Sequence, residues 1–186
     1  LDVLTGRVVP GRRVAIIGAG GIGFDVAEFL VHDGESTALA PARWRAEWGV
    51  DVAYADNRGG LADPRPEPAA REVWLLQRSP GKPGARLGKT TGWIHRATLK
   101  AKGVHMLGGV SYERVDDAGL HVRVGDDAYA LPVDHVVVCA GQEPFKPLAV
   151  ELAGRVPVHV IGGADVAAEL DAKRAIAQGS RVAAAL

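Results

Sequence analysis

The residues with the most chemical content are Gly18-Ala19-Gly20-Gly21-Ile22-Gly23, a G-x-G-x-x-G hexad. Such a hexad carries meaning only between a strand and a helix. Ahead of it, Arg13 to Ile17 is a β-branched apolar run bounded by Pro10-Gly11 and Gly18, the pattern of a buried strand. Behind it, Ile22, Val26, Phe29 and Leu30 recur at helical spacing, with Asp25 and Glu28 in the early turns where the helix dipole favours acids. That helix is expected to end near His32-Asp33-Gly34, glycine taking the left-handed cap. In this context each glycine has a physical role. Gly18 makes the tight turn, Gly20 lets the backbone approach a pyrophosphate, and Gly23 lets helix and strand pack closely. The free N–H groups of the helix start then face the anion, so the segment reads as a dinucleotide site rather than a glycine-rich turn.

Which dinucleotide is decided at the end of the second strand, where an acid receives the ribose hydroxyls of NAD and arginine meets the 2′-phosphate of NADP. The second strand here is Glu72 to Gln77, and it runs into Arg78-Ser79, with Lys82, Arg86 and Lys89 close behind. No acid stands at the strand end, and the cluster of cations favours NADPH over a merely solvated basic loop. Gly88-Lys89-Thr90-Thr91 is not a P-loop, because the residue five before Gly88 is Pro83 and no strand immediately precedes it. Thr90 and Thr91 are read as capping residues for the helix from Gly92 to Lys102, with Thr90 also counted among the residues facing the nucleotide. No protein-side acid–base catalyst stands out. His32, His95, His105, His121, His135 and His159 are scattered singly, without a nucleophile or metal-ligand pattern, and Cys139 lies inside an apolar run. Tyr54, Tyr112 and Tyr129 lack a lysine four residues on, which removes the catalytic pair of a short-chain dehydrogenase. Asp165, after Gly162-Gly163, is read either as a helix N-cap or as a flavin ligand.

The elements that position these residues are those of an α/β chain. The chain has 186 residues with 22 basic and 22 acidic, so its formal net charge is zero and no nucleic-acid partner is expected. Twenty-four glycines and 11 prolines imply many turns, and the one cysteine excludes an intrachain disulfide and, by itself, a thiolate metal site or cluster. No apolar run approaches a membrane span and residues 1–11 lack a leader pattern, so no membrane is expected and a cytoplasmic location is the default. The start at Leu1 rather than Met suggests a fragment or a processed product. The expected fold is a Rossmann-like parallel sheet flanked by helices, with residues 35–71 as an insertion holding a short helix from Ala42 to Trp48 that brings Trp44 and Trp48 onto one face. Val104 to Leu107, Ser111 to Val115, Leu120 to Val124 and Ala128 to Leu131 are read as an antiparallel meander, His135 to Cys139 and Val156 to Ile161 as further strands, and Val166 to about Leu186, with Leu170, Ile176 and Val182, as the last helix. Residues 1–150 form the nucleotide-binding domain and 151–186 a separate C-terminal segment in this reading.

Five segments together, Gly18 to Leu30, Leu76-Gln77-Arg78, Leu87 to Arg96, Val138 to Pro144 and Val158 to Ile176, resemble the C-terminal part of the bacterial NADPH-dependent 2,4-dienoyl-CoA reductases. In that family a barrel related to old yellow enzyme holds FMN and an iron–sulfur cluster, and a glutathione-reductase-like half holds FAD and NADPH. The resemblance implies hydride transfer from NADPH to FAD, then electron passage through the cluster to FMN, which reduces the dienoyl-CoA of fatty-acid β-oxidation. It covers the NADPH-binding insert and the C-terminal return into the FAD domain, so the chain alone is not expected to turn over substrate. The rest of the parent flavoenzyme, its barrel and FAD domain, is the implied partner. By the family pattern, Gly18, Gly20, Gly21 and Gly23 hold the pyrophosphate, Arg78 the 2′-phosphate, the Ala140-Gly141-Gln142 turn lies beside the nicotinamide, and Gly163 and Asp165 belong to a partial FAD site in which the acid accepts from a ribityl hydroxyl. Against this reading stands a non-catalytic nucleotide-binding or sensor module dependent on a partner.

Overall fold

The computed structural model describes residues 1–55, 59–168 and 172–186. It divides into two compact units, Leu1–Ala140 and Gly141–Leu186.

The first unit is built on a parallel sheet of β1 (Arg13–Ile17), β2 (Glu72–Leu76), β3 (His105–Leu107) and β7 (His135–Val138), in the spatial order β3-β2-β1-β7. Val14, Ala15 and Ile16 are fully buried, as a strand covered on both faces requires. The strand period of two sends Val14, Ile16, Val73 and Leu75 to one face and Ala15, Trp74 and Leu76 to the other. The first set packs on α1 (Gly21–Val31) and α3 (Gly92–Ala101) through Phe24, Leu30 and Leu99. The second packs on a three-stranded antiparallel sheet, β4 (Val110–Asp116), β5 (Gly119–Val124) and β6 (Asp127–Leu131), through Val110, Leu120, Val122 and Leu131. The fold is therefore the α/β, Rossmann-like arrangement expected, with helices on one face of the parallel sheet and a small antiparallel sheet on the other.

Several local expectations are corrected. Residues 104–107 do not open the meander: β3 pairs in parallel with β2, Trp74 opposite His105, and the two rings stack at 5.2 Å. The chain reaches it through α3, a β-α-β crossover, and Gly108-Gly109 then passes the chain from one sheet to the other rather than turning a hairpin. In α1 the buried residues are Gly23, Phe24, Val26, Ala27, Leu30 and Val31, while Ile22 and Phe29 stay half exposed, because the close approach at Gly23 fixes which face meets the sheet. The helix stops at Val31 on an extended His32, whose Nδ1 lies 2.8 Å from the Glu28 carbonyl, and Gly34 makes its positive-φ turn outside the helix.

The 35–71 segment carries α2 (Pro41–Trp48), ended by Gly49 in the left-handed conformation. It is clipped to the end of α3 by a buried ion pair, Lys102 Nζ to Glu47 Oε1 at 2.8 Å, with Thr37 donating to the other Glu47 oxygen at 3.1 Å. Trp44 and Trp48 share a face at 6.5 Å, but α2 buries no residue; both line a cavity of about 420 Å³ beside Ile94 of α3.

In the second unit, α4 (Pro147–Glu151) starts on a proline at its first turn, and α5 spans Ala172–Ala184. Residues 156–161 form no strand, since Pro157 removes a donor and no strand among the described residues of this unit offers a partner. The last helix does not begin at Val166, because 162–166 close instead a 3₁₀ turn onto the Gly162 carbonyl; its described part is Ala172–Ala184. Leu170, expected on that helix, lies outside the described residues. Among the described residues no helix is long and apolar enough to cross a membrane.

Candidate functional site

The strand order reverses at β1, with β2 on one side and β7 on the other, and ligands of open α/β sheets bind at such a point beyond the strand C-termini. The chain leaves β1 there through Gly18, whose N–H donates to the Leu76 carbonyl at 2.8 Å. Gly18 has φ +112°, and a Cβ on it would stand 2.7 Å from the Cys139 carbonyl oxygen at the end of β7. At Gly23 a Cβ would stand 1.8 Å from the Gly18 carbonyl oxygen, so helix and turn meet backbone to backbone. Gly20 and Gly21 are the opposite case: nothing lies within 4 Å of where their Cβ atoms would be. Gly20 caps α1 in extended conformation and offers no side-chain acceptor to the first-turn amides.

That open space is one side of a cavity of about 300 Å³. Ala19, Gly20 and Gly21 line it from the glycine turn, and Ser79, Lys82 and Arg86 from the loop between β2 and α3. The start of α1 and two cations, Lys82 and Arg86, thus line one cavity that a side chain at Gly20 or Gly21 would enter. These residues fit the pyrophosphate and adjoining ribose of a dinucleotide. A larger cavity, about 670 Å³, lies at the other end of α1 against the N-terminal segment, away from the glycine turn.

The remaining sequence-derived residues divide. Ile22 is exposed on the first turn of α1 and Arg78 is exposed just before Ser79; neither lines the cavity. Burial pushes the Tyr112 phenol up, and the charge of Arg78 partly offsets this, which places Arg78 within electrostatic reach of β4. Thr90 is exposed outside the cavity and uses its carbonyl to accept from Trp93 Nε1 at 3.1 Å. Thr91 occupies the N-cap position of α3 with no side-chain capping bond, a correction to the capping role: its backbone is already in the helical region, so its hydroxyl is not presented to the first-turn amides. Ala140 closes the first unit beside Gly18, its nitrogen 2.9 Å from the position of the absent Gly18 Cβ. Gly141, with φ +83°, and Gln142 are exposed at the start of the second unit. Gly163 and Asp165 lie in that second unit, in and just after the 3₁₀ turn. Asp165 does not cap α5; its Oδ2 accepts from Gln178 Nε2 at 3.0 Å, and Gln178 Oε1 accepts from the Gly162 N–H at 2.7 Å. Cys139 is half-buried, and burial pushes its thiol up, away from the reactive thiolate.

Arg86 is the functional candidate that reading by strand ends passes over. The rule looks at the first residues after β2, whereas the loop folds back and returns its later cation to the glycine turn. The signal was the density of positive charge from Arg78 to Lys89 in a chain of zero net charge.

Two solved structures share this fold across almost the whole chain. One, a 2-naphthoyl-CoA reductase with 2-naphthoyl-CoA, superposes with a TM-score of 0.63 at 19% identity over 96% of this chain and 22% of its own. The other, histamine dehydrogenase from Rhizobium sp. 4-9, gives 0.62 at 16% identity over 98% of this chain and 24% of its own. The chain thus spans less than a quarter of the length of either protein. Residues 2–177 match the sequence profile described as Pyridine nucleotide-disulphide oxidoreductase. With the glycine turn, the parallel sheet and this match over nearly its full length, the chain belongs to the pyridine nucleotide-disulphide oxidoreductase family, whose members bind FAD and NAD(P)H.

Proposed function

We propose that this chain is the NADPH-holding part of a larger flavoenzyme that reduces 2,4-dienoyl-CoA thioesters. The observation that carries the nucleotide reading is the single cavity uniting Gly20 and Gly21 with Lys82 and Arg86. Gly20, Gly21, Lys82 and Arg86 would hold NADPH, which when bound would supply a hydride for a flavin, as implied for the dienoyl-CoA reductases that the sequence resembles. The chain's own work is positional and electrostatic. The amides at the start of α1 receive the pyrophosphate; Arg78, Lys82 and Arg86 set the positive field in which a 2′-phosphate is preferred to a hydroxyl; Gly18 holds the end of β1 against the end of β7. Gly163 and Asp165 contribute to an FAD site completed by residues outside this chain, and the Ala140-Gly141-Gln142 turn serves the nicotinamide side.

The need for such a partner is supported by the second unit. Phe145, Leu148, Val150 and Ile176 are 66–82% exposed, and neither α4 nor α5 buries a residue. The acyl-CoA assignment rests on the five sequence segments from Gly18 to Ile176, and a fold shared with a reductase of another acyl-CoA is consistent with it.

Calorimetric titration of the chain with NADPH, NADH and FAD tests the reading. NADPH is expected to bind about tenfold to a hundredfold more tightly than NADH, the value of one charge-assisted contact to phosphate, and FAD only weakly. Arg78→Ala and Arg86→Ala are each expected to lower NADPH affinity and leave NADH affinity nearly unchanged. Equal losses for both nucleotides would remove these arginines from the phosphate site, and silence for all three ligands would overturn the nucleotide reading.

A further inference from the structure

We infer that Arg96 is a positioning residue for nucleotide selection, acting through the backbone of Gly84 on the loop that presents Lys82 and Arg86. This deepens the NADPH reading above and rests on it. Arg96 stands on the second turn of α3, half-buried, and its Nη1 donates at 2.7 Å to the carbonyl oxygen of Gly84, twelve residues earlier. Among the described residues that is its one hydrogen bond, so a guanidinium with five donors is committed to a single loop carbonyl.

Gly84 is itself held from the opposite side. Its φ is +73°, and a Cβ on it would lie 2.6 Å from Cζ of Phe24, a buried residue of α1. The peptide is therefore clamped between α1 and α3, two helices already tied by the 2.7 Å contact of Glu28 Oε1 with His95 Nδ1. At its start the same loop is fastened by Gln77, whose Nε2 donates to the carbonyls of Ser79 at 3.0 Å and Gly81 at 3.3 Å. Two tight turns then run through the clamp, Ala85 N–H to the Lys82 carbonyl and Leu87 N–H to the Gly84 carbonyl, each at 3.2 Å.

Lys82 and Arg86 lie two residues to either side of Gly84, and both line the cavity. Long cationic side chains select a phosphate only if their backbone is already in place, since otherwise each binding event must order the loop. The Arg96 bond supplies that order before the ligand arrives. The glycine turn has its own supports in Gly18 and Gly23, so loss of Arg96 acts on the phosphate end of the site and leaves the pyrophosphate end in place.

The test is a comparison of NADPH and NADH binding in wild type, Arg96→Met, Arg86→Ala and the double variant, with amide hydrogen exchange over residues 79–88 without nucleotide. Arg96→Met is expected to reduce the NADPH-over-NADH preference by about tenfold with NADH affinity unchanged, the size of ordering one or two residues. Its effect is expected to largely vanish in the Arg86→Ala background, because the two act on one contact, and amides 79–88 are expected to exchange faster. Should the Met variant fail to fold, Arg96→Lys, which keeps the charge and one donor, is expected to lose part of the preference with the same exchange signature. An unchanged preference, equal losses for both nucleotides, additive effects, or unaltered exchange in a folded variant overturns the inference alone. A wild-type protein that does not distinguish NADPH from NADH overturns the NADPH reading itself.

Discussion

Gly20 separates binding from folding at the level of one residue. Its φ of −85° and ψ of −172° are open to any L-residue, and nothing lies within 4 Å of an added Cβ, so Gly20→Val costs the fold little. The same Cβ and its methyls would enter the cavity proposed for the pyrophosphate. Gly20→Val is expected to keep the far-ultraviolet circular dichroism of wild type and to lose nucleotide binding by calorimetry; normal affinity in that folded variant would sink the glycine-turn assignment. Glu47 shows the reverse separation, a residue that matters for stability and not for the ligand. Burial pushes its carboxyl up, but the hydrogen bond and charge of Lys102 and the Thr37 hydroxyl outweigh this and hold it below its ordinary 4.5. A carboxyl lowered in the folded state contributes stability above its unfolded pKa and loses it as the pH falls below that value. The thermal midpoint is therefore expected to drop as the pH is taken below 4.5, and Glu47→Gln to flatten that dependence. Because Lys102 would be left buried without its counter-charge, keeping only its bond to the Glu67 carbonyl at 3.0 Å, Glu47→Gln is also expected to cost about 3 kcal/mol at neutral pH in urea titrations.

Among the elements, the contact of α1 with the end of β1 is the tightest in the site. A Cβ at Gly23 would stand 1.8 Å from the Gly18 carbonyl, a distance no rotamer relieves, so the helix must move off the strand. Gly23→Ala is expected to destabilise by about 3 kcal/mol or more in denaturant unfolding, against a few tenths at Gly21, where space is open. These glycine roles were legible because each is a local demand of turn or packing on one residue. The strands β1, β2 and β7 were legible for the same kind of reason, each a short apolar run between breakers. The affiliation of β3 was not, since Val104-His105-Met106-Leu107 has the same local pattern whether its partner is β2 or β4. Residues 156–161 likewise read as a strand by composition, whereas a strand exists only with a partner, and Pro157 weakens the demand for one. Of the residues that line the cavity, Ala19, Gly20, Gly21, Ser79 and Lys82 are named from the sequence as candidates, whereas Arg86 stands out there only within a charge cluster, because its return to the cavity depends on how Gly84 is clamped.

For the whole molecule, legibility follows burial. In the first unit the two faces of the parallel sheet bury Phe24, Leu75, Leu99, Leu120 and Val122, and the sequence periods there correspond to real interiors. In the second unit the apolar residues Leu148, Val150 and Ile176 of α4 and α5 are exposed, so their pattern corresponds to no interior among the described residues. The sheet also has a consequence in time. β1 takes one neighbour from β2 and the other from β7, and the Arg13–Asp134 contact at the start of that second pairing spans 121 residues. Closing so long a loop is entropically costlier than forming the β1-α1-β2 unit, which places the docking of β7 late in folding. Gly18 is wedged against Cys139 and Ala140, and the nucleotide turn acquires its shape only when β7 arrives. On refolding from urea, the helical signal of α1 and α3 is therefore expected to return before NADPH fluorescence reports binding, and nucleotide present from the start is expected to slow unfolding without hastening folding. On that expectation, a molecule caught before β7 docks would lack the turn on which the proposed coenzyme site depends.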